Sequence, residues 1–208
     1  PIFAQTVARG AERDEIIENI DIGGPSMVRS AAKNHASVAI VTDPSDYPEL
    51  IAALDGNGGA TDLPFRRRLA AKAYAATATY DAMISQWFAF ADQGQFFPDT
   101  LALTAHRGDE LRYGENPHQN AALYSTDGGG ISGAEQLHGK EMSFNNYVDA
   151  EAAWNLVNDL DERAVAIIKH TNPSGVGVGS TNLQAYERAL ATDPVSAFGG
   201  IVAFNHGV

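Results

Sequence analysis

Apolar positions along this chain follow two different periods, and the change between them divides it. Between residues 61 and 92, Leu69, Ala73, Ala76, Tyr80, Met83, Trp87 and Phe90 recur at steps of three and four, with Thr61 or Asp62 placed to cap the run. Such spacing lines up on one face of a helix and predicts a core-facing helix over 61–92. Upstream, Met27, Val28, Ala31 and Ala32 repeat the helical spacing after a Gly23-Gly24-Pro25 corner. Proline suits a first helical turn, where no N–H is needed. "SVAIVTDP" then reads as a short buried strand closed by Asp43-Pro44, and "DYPELIAAL" as a helix ending at "DGNGG".

Beyond "GQFFPDTLALTAHRGDELRYGENPHQNAALY" the runs become short and alternating, which places a boundary near residues 95–105. A glycine-rich loop, "TDGGGISG", precedes "NNYVDAEAAWNLVNDL", predicted as a helix capped near Asp149 with Ala152, Ala153, Leu156, Val157 and Leu160 inward. "AVAIIKH" reads as a buried strand, "NLQAYERALATDP" as a helix and "GGIVAF" as a last strand. Helices and strands mixed in this order predict an α/β protein.

Composition narrows the partners. The 208 residues are 44% hydrophobic and 19% charged, a globular balance. No apolar run approaches the roughly 18 residues of a membrane span, and no signal pattern opens the chain. The expectation is a soluble protein without a membrane partner. Fourteen basic against 26 acidic residues give a formal charge of −12, which argues against nucleic acid as the main ligand. Without cysteine there is neither disulfide nor thiolate, which agrees with a cytosolic setting. Six histidines, at 35, 106, 118, 138, 170 and 206, show no helical pairing, so no metal site is expected. Because the chain opens on Pro1 and stops just after a strand, it is expected to be a fragment or a processed chain.

Four stretches carry candidate chemistry. In "IIKHTNPSGVGVG" the glycines at 175, 177 and 179 lack the spacing of a dinucleotide fingerprint. Asn172-Pro173-Ser174-Gly175 instead fits a type I turn. Lys169 and His170 would point to opposite faces of a continuing strand, so the strand must end at one of them if both serve one site. A histidine can take a proton at neutral pH and a neighbouring ammonium can stabilise developing negative charge. The plainer alternative is a strand end whose lysine reaches water and whose histidine bonds a carbonyl. "LRYGENPHQ" packs Arg112, Tyr113, Asn116, His118 and Gln119 around Gly114 and Pro117; the guanidinium suits a phosphate or carboxylate and the phenol ring a flat base. Asp21 and Lys33, twelve apart, read on their own as surface charges. In "DPVSAFGG", Ser196 and the Phe198-Gly199-Gly200 corner could let backbone approach a ligand or simply turn the chain.

Taken together, "IDIGGPSMVRSAAKNH", "FRRRLAAKAYAATATYD", "LRYGENPHQNAALY", "FNNYVDAEAAWNLV", "IIKHTNPSGVGVG" and "DPVSAFGGIVAFN" resemble, in order and over nearly the whole chain, the bifunctional AICAR transformylase/IMP cyclohydrolase family of purine biosynthesis, bacterial type. The resemblance implies formyl transfer from 10-formyltetrahydrofolate to AICAR, then ring closure of FAICAR to IMP, with no metal required. It implies a cytoplasmic homodimer with shared active sites. It divides the chain into residues 1–104, the carboxyl-terminal lobe of the cyclohydrolase domain, and 105–208, the first cytidine-deaminase-like half of the transformylase domain. It also implies missing parts: most of the amino-terminal lobe and the second transformylase half, including its folate contacts. Where the family commonly has Tyr-Pro-Phe, this chain has Pro1-Ile2-Phe3, so a usual active-site tyrosine is absent. The chain alone is therefore expected to be inactive; the alternative is a non-catalytic nucleotide-binding or structural fragment.

Carried over by position, the resemblance replaces the surface-charge reading of Asp21 and Lys33 with a cyclohydrolase pair. Arg112, Tyr113 and Asn146 match AICAR-site residues, and Phe198 and Gly199 match the corner lining the same pocket. Lys169 and His170 match the catalytic pair. His170 would draw the proton from the 5-amino group; Lys169 would steady the oxyanion or protonate the departing folate nitrogen. The His-x-Glu and Pro-Cys-x-x-Cys ligands of zinc deaminases are absent from the sequence.

Overall fold

A computed structural model describes residues 2–126 and 128–207. Pro1, Asp127 of the glycine-rich loop and Val208 lie outside them. The chain forms two compact units, Pro1–Thr104 and Ala105–Val208.

The first unit is helical. It holds α1 (Ile2–Ala8), α2 (Arg13–Glu18), α3 (Gly23–Lys33), α4 (Tyr47–Gly56) and α5 (Leu63–Gln86), which runs on as a wider π-type turn over Trp87–Asp92. Asp62 caps α5 by accepting from Phe65 N–H at 2.8 Å, and Pro64 sits in its first turn. The predicted stripe is corrected in two places: Ala76 and Phe90 are exposed, and Thr77 is buried. Because 3.6 residues make a turn, the buried face drifts from Ala73 to Thr77 and Tyr80. Thr77 tolerates burial because its hydroxyl donates to Tyr74 O at 3.2 Å. Phe3 fixes α1 against this face, edge-on to Tyr80 and Trp87 with centroids 6.1 Å away in each case. Ala32 packs on Ala70 and Ala73 and seats α3 on α5. The Arg66 guanidinium closes the end of α3, donating to the carbonyls of His35 and Ala36, each at 2.9 Å.

The strand expected at "SVAIVTDP" does not form. Residues 38–41 are half-buried, and Ile40 packs against the Ala32–Ala73 cluster, yet no described segment of this unit offers them a ladder. An apolar run becomes a strand only where its N–H and C=O groups find a neighbour. Asp43 does close the run: its carboxylate accepts from Ser45 N–H at 2.9 Å, which holds its pKa below the usual value, and starts the 3-10 turn Pro44–Asp46.

The second unit carries the sheets. β1 (His106–Leu111) and β2 (Ala121–Ser125) pair antiparallel. After a 3-10 turn at Gly130–Gly133 come α6 (Phe144–Asn158), β3 (Ala164–Lys169), β4 (Asn172–Val178), α7 (Asn182–Thr192) and β5 (Ile201–Phe204). The second sheet has the order β4-β3-β5 and both pairings are antiparallel. The chain as a whole is thus mixed helix and sheet. Central β3 is buried from Ala164 to Ile168: Val165 and Ile167 pack on Ala185 and Ala189 of α7, and alternate residues face the other way, where α6 lies on β3 and β5.

Two expectations fail here. α6 is capped by Ser143, not near Asp149: Asn146 N–H donates to Ser143 Oγ, and Asn146 Oδ1 accepts from Ser143 N–H at 3.1 Å. Asn172-Pro173-Ser174-Gly175 is not a turn but the start of β4; the chain reverses earlier, at His170-Thr171. The glycines therefore do not shape a loop. Added Cβ atoms on Gly175 and Gly177 would strike the carbonyls of Ala189 and Ala185, so these glycines let β4 lie directly against the α7 backbone. Asn205 then locks the layers: its Nδ2 reaches the carbonyls of Val157, Leu160 and Glu162, and its Oδ1 accepts from Ala164 N–H at 2.8 Å.

Candidate functional site

In the second unit the register fixes which ends meet. Lys169 ends β3 beside the hairpin turn, and Ile168 pairs with Ile201 at the start of β5, so the corner before β5 lies at the same end of the sheet. Lys169 Nζ donates to Phe198 O at 2.9 Å, joining the two. That bond uses one of three ammonium protons and leaves two for a ligand. The corner is held by Asp193, which accepts from Ser196 N–H at 3.0 Å; the Ser196 hydroxyl first, and then this N–H, keep the carboxyl below its usual pKa, and Ser196 is thus a turn residue. Gly199 has φ 79°, where a side chain is disfavoured, and Phe198 beside it is 85% exposed.

α6 brings the next group. Asn146 Oδ1 also accepts from Ser143 Oγ at 3.0 Å, so its carbonyl side is engaged by the cap while its Nδ2 donors have no partner among the described residues. The "LRYGENPHQ" loop is stitched to the same helix start: Arg112 N–H donates to Met142 O at 3.0 Å, Phe144 N–H to Tyr113 O at 3.1 Å, and Asn145 Nδ2 to Glu115 O at 3.1 Å. Gln119 closes the loop on itself, its side-chain oxygen accepting from the Asn116 backbone N–H at 2.8 Å, so the Gln119 amide serves structure. Arg112 lies over the Tyr113 ring at 4.8 Å and donates to its hydroxyl at 3.2 Å.

His170 is exposed at the tip of the hairpin, and Thr171 N–H donates to Asp149 Oδ1 on α6 at 2.7 Å. Arg112, Tyr113 and Asn146 are therefore joined at the start of α6, Lys169, Phe198 and Gly199 at the sheet end, and the Asp149 bond ties the two sets.

In the first unit Asp21 begins α3. Its Oδ1 accepts from Gly24 N–H at 3.0 Å, and its own N–H donates to the Tyr80 hydroxyl at 2.7 Å. A side chain at Gly24 would run into the Asp21 carboxylate, which accounts for the second glycine of "IDIGG". Asp21 lines a mostly apolar cavity of about 810 Å3 together with Ile20, Pro25, Val28, Thr42 and Tyr80. Lys33 is exposed at the other end of the eleven-residue α3, about 15 Å away at 1.5 Å per residue, and does not line that cavity. Asp21 and Lys33 are thus not brought together within this unit.

A sequence profile of the AICARFT/IMPCHase bienzyme matches residues 31–208. The chain belongs to the AICARFT/IMPCHase bienzyme family. It is 55% identical over 208 residues to the bifunctional purine biosynthesis protein PurH of Parvibaculum lavamentivorans, covering 98% of this chain and 38% of that protein. The PurH of Caulobacter vibrioides is also 55% identical, with 98% and 39% covered, and that of Persephonella marina 51%, with 99% and 41%. The chain spans about two-fifths of the length of the curated relatives it matches.

Sequence reasoning missed Asp149 and Tyr80 as neighbours of the candidate residues. Asp149 was legible only as a helix-cap residue and Tyr80 only as part of an apolar stripe. Their partners, Thr171 and Asp21, lie 22 and 59 residues away. Among the described residues no group of three or more His, Cys, Asp or Glu is disposed to hold a metal ion, and no helix is long and apolar enough to cross a membrane.

Proposed function

We propose that this chain is part of a bifunctional enzyme of purine biosynthesis. Residues 105–208, read as the first cytidine-deaminase-like half of the transformylase domain, contribute to formyl transfer from 10-formyltetrahydrofolate to AICAR. Residues 1–104, read as the carboxyl-terminal lobe of the cyclohydrolase domain, contribute to closure of FAICAR to IMP. The observation that carries the reading is the joining of Arg112, Tyr113, Asn146, Lys169, His170 and the Phe198-Gly199 corner through α6 and the end of β3, in a chain of this family.

In this reading Arg112 takes the nucleotide's phosphate or carboxamide side, where its planar donors suit oxygen acceptors. Tyr113 and Phe198 offer flat faces to the imidazole base, and Asn146 Nδ2 donates to it. His170 accepts a proton from the 5-amino nitrogen as that nitrogen attacks the formyl carbon. Lys169 steadies the oxygen as it gains charge, or supplies the proton that leaves with the folate nitrogen. No step calls for a metal. Asp21 and Lys33 serve the second reaction; given their separation along α3, they act on different parts of FAICAR or in sites completed by another subunit. A cytoplasmic homodimer with shared sites agrees with that separation.

The test uses a full-length bienzyme carrying this sequence, with both activities assayed in His170→Ala and Lys33→Ala. His170→Ala is expected to lower formyl transfer by about a thousandfold, within the range for removing a general base, while cyclisation persists. Lys33→Ala is expected to do the reverse. Equal loss of both activities in both variants would refute the two-site assignment. AICAR affinity that survives His170→Ala, with no rate in the unmodified protein either, would point to a nucleotide-binding module without catalysis.

A further inference from the structure

The β3–β4 turn is unusual in its backbone. His170 and Thr171 are the non-glycine residues with positive φ among the described residues, at 53° and 62°, and they are consecutive. Two consecutive left-handed residues make the tight hairpin reversal that matches strand twist, a place usually filled by Asn-Gly or Gly-Gly. A β-branched residue is strongly disfavoured there, so the surroundings must impose the conformation.

Three hydrogen bonds do so. Thr171 Oγ1 donates to His170 O at 2.7 Å and Asn172 Nδ2 to the same carbonyl at 2.8 Å, both inside the turn. The third comes from another element: Thr171 N–H donates to Asp149 Oδ1 on α6. Asp149 makes no ion pair among the described residues. The exposed His170 ring has no hydrogen-bond partner among them either, so what the protein fixes for it is the backbone and the Cα–Cβ bond from which it projects.

We infer that Asp149 is a positioning residue for His170: its carboxylate holds the left-handed turn to α6 and thereby fixes the point from which the imidazole projects relative to Asn146, three residues before Asp149 on the same helix. Residues at i and i+3 share a helix face, so the amide offered to substrate and the tie that aims the base belong to one rigid element. Displacement of a reacting group by about 1 Å costs on the order of a hundredfold in rate, and such a tie prevents it.

The inference rests on the reading of Lys169-His170 as the formyl-transfer pair. Steady-state formyl transfer and cyclisation are measured in the full-length bienzyme for His170→Ala, Asp149→Ala, Asp149→Asn and the double variant Asp149→Ala/Thr171→Gly. Asp149→Ala is expected to lower kcat for formyl transfer about a hundredfold with KM for AICAR within about threefold and cyclisation unchanged. Asp149→Asn keeps an oxygen that accepts the same bond and is expected to retain kcat within about threefold. Thr171→Gly removes the strain at φ 62°, so the double variant is expected to regain at least about tenfold over Asp149→Ala. If Asp149→Ala does not fold, folding and formyl transfer regained in the double variant support the inference equally, and a double variant that does not fold overturns it. A normal kcat in Asp149→Ala, or an effect confined to KM, overturns it while His170→Ala remains inactive. A normal rate in His170→Ala removes the underlying reading instead.

Discussion

The two units treat their candidate residues differently. In residues 105–208 the segments that carry Arg112, Tyr113, Asn146, Lys169, His170 and Phe198 are bonded to one another around the start of α6, the end of β3 and the corner before β5. In residues 1–104, Asp21 is fixed by Tyr80 and Gly24, but Lys33 stands at the far end of α3 and residues 38–41 have no ladder. The contrast separates two kinds of site. One is a frame in which the segments carrying the candidate residues are bonded to one another within about a hundred residues of chain. The other holds a fixed carboxylate beside a cavity, with its candidate cation exposed at the far end of a helix.

Changes that loosen the second unit should leave the first intact, and the converse, which gives three ways to break the contrast. The largest effect is expected from Gly177→Ala, whose added methyl meets the backbone of Ala185 and Ala189. Overpacking of that kind should cost about 3 kcal/mol, read as faster hydrogen exchange across β3 and β4 with α5 unchanged. Asn205→Ala removes bonds to four backbone groups joining α6, β3 and β5. About 2 kcal/mol is expected, seen as a lower denaturant midpoint for the second unit alone. Tyr80→Phe should have the smallest effect, about 1 kcal/mol for one lost acceptor. Its exchange signature should appear at the Asp21 amide and the start of α3, with β3 unaffected. Loss of protection in both units from any of these changes would show that they do not behave separately.

Much of this architecture can be read directly from the residues. The period of three and four from Leu69 to Trp87 specifies α5 because packing on a helix depends only on spacing, and the run "AVAII" specifies β3 because burial on both faces demands unbroken apolarity. "VAIV" at 38–41 has nearly the same composition and forms no strand; pattern reports a wish to be buried, and the partner that would make it a ladder is not written in the run itself. Turn chemistry misleads at Asn172-Pro173-Ser174-Gly175 for a related reason. Local preference favours those four residues, but Asp149 stabilises a reversal three residues earlier, and Gly175 is needed where β4 meets α7. Lys169 and His170 stand out in the sequence as a polar pair ending an apolar run. Asn146 gains its interest from family resemblance and not from local chemistry, whereas the Phe198-Gly199 corner is legible as a turn that could approach a ligand and is set in a pocket only by the resemblance.

The glycines at 175, 177 and 179 have a practical consequence. They leave β4 with side chains on only one face, where Val176 and Val178 are 36% and 38% exposed. The sequence has no cysteine, so Val178→Cys would create a single thiol on the strand that leads away from the hairpin turn. A fluorophore or spin label attached there would stand clear of the seam with α7. The same bareness that allows strand and helix to touch thus provides a background-free attachment point for watching the turn that carries His170.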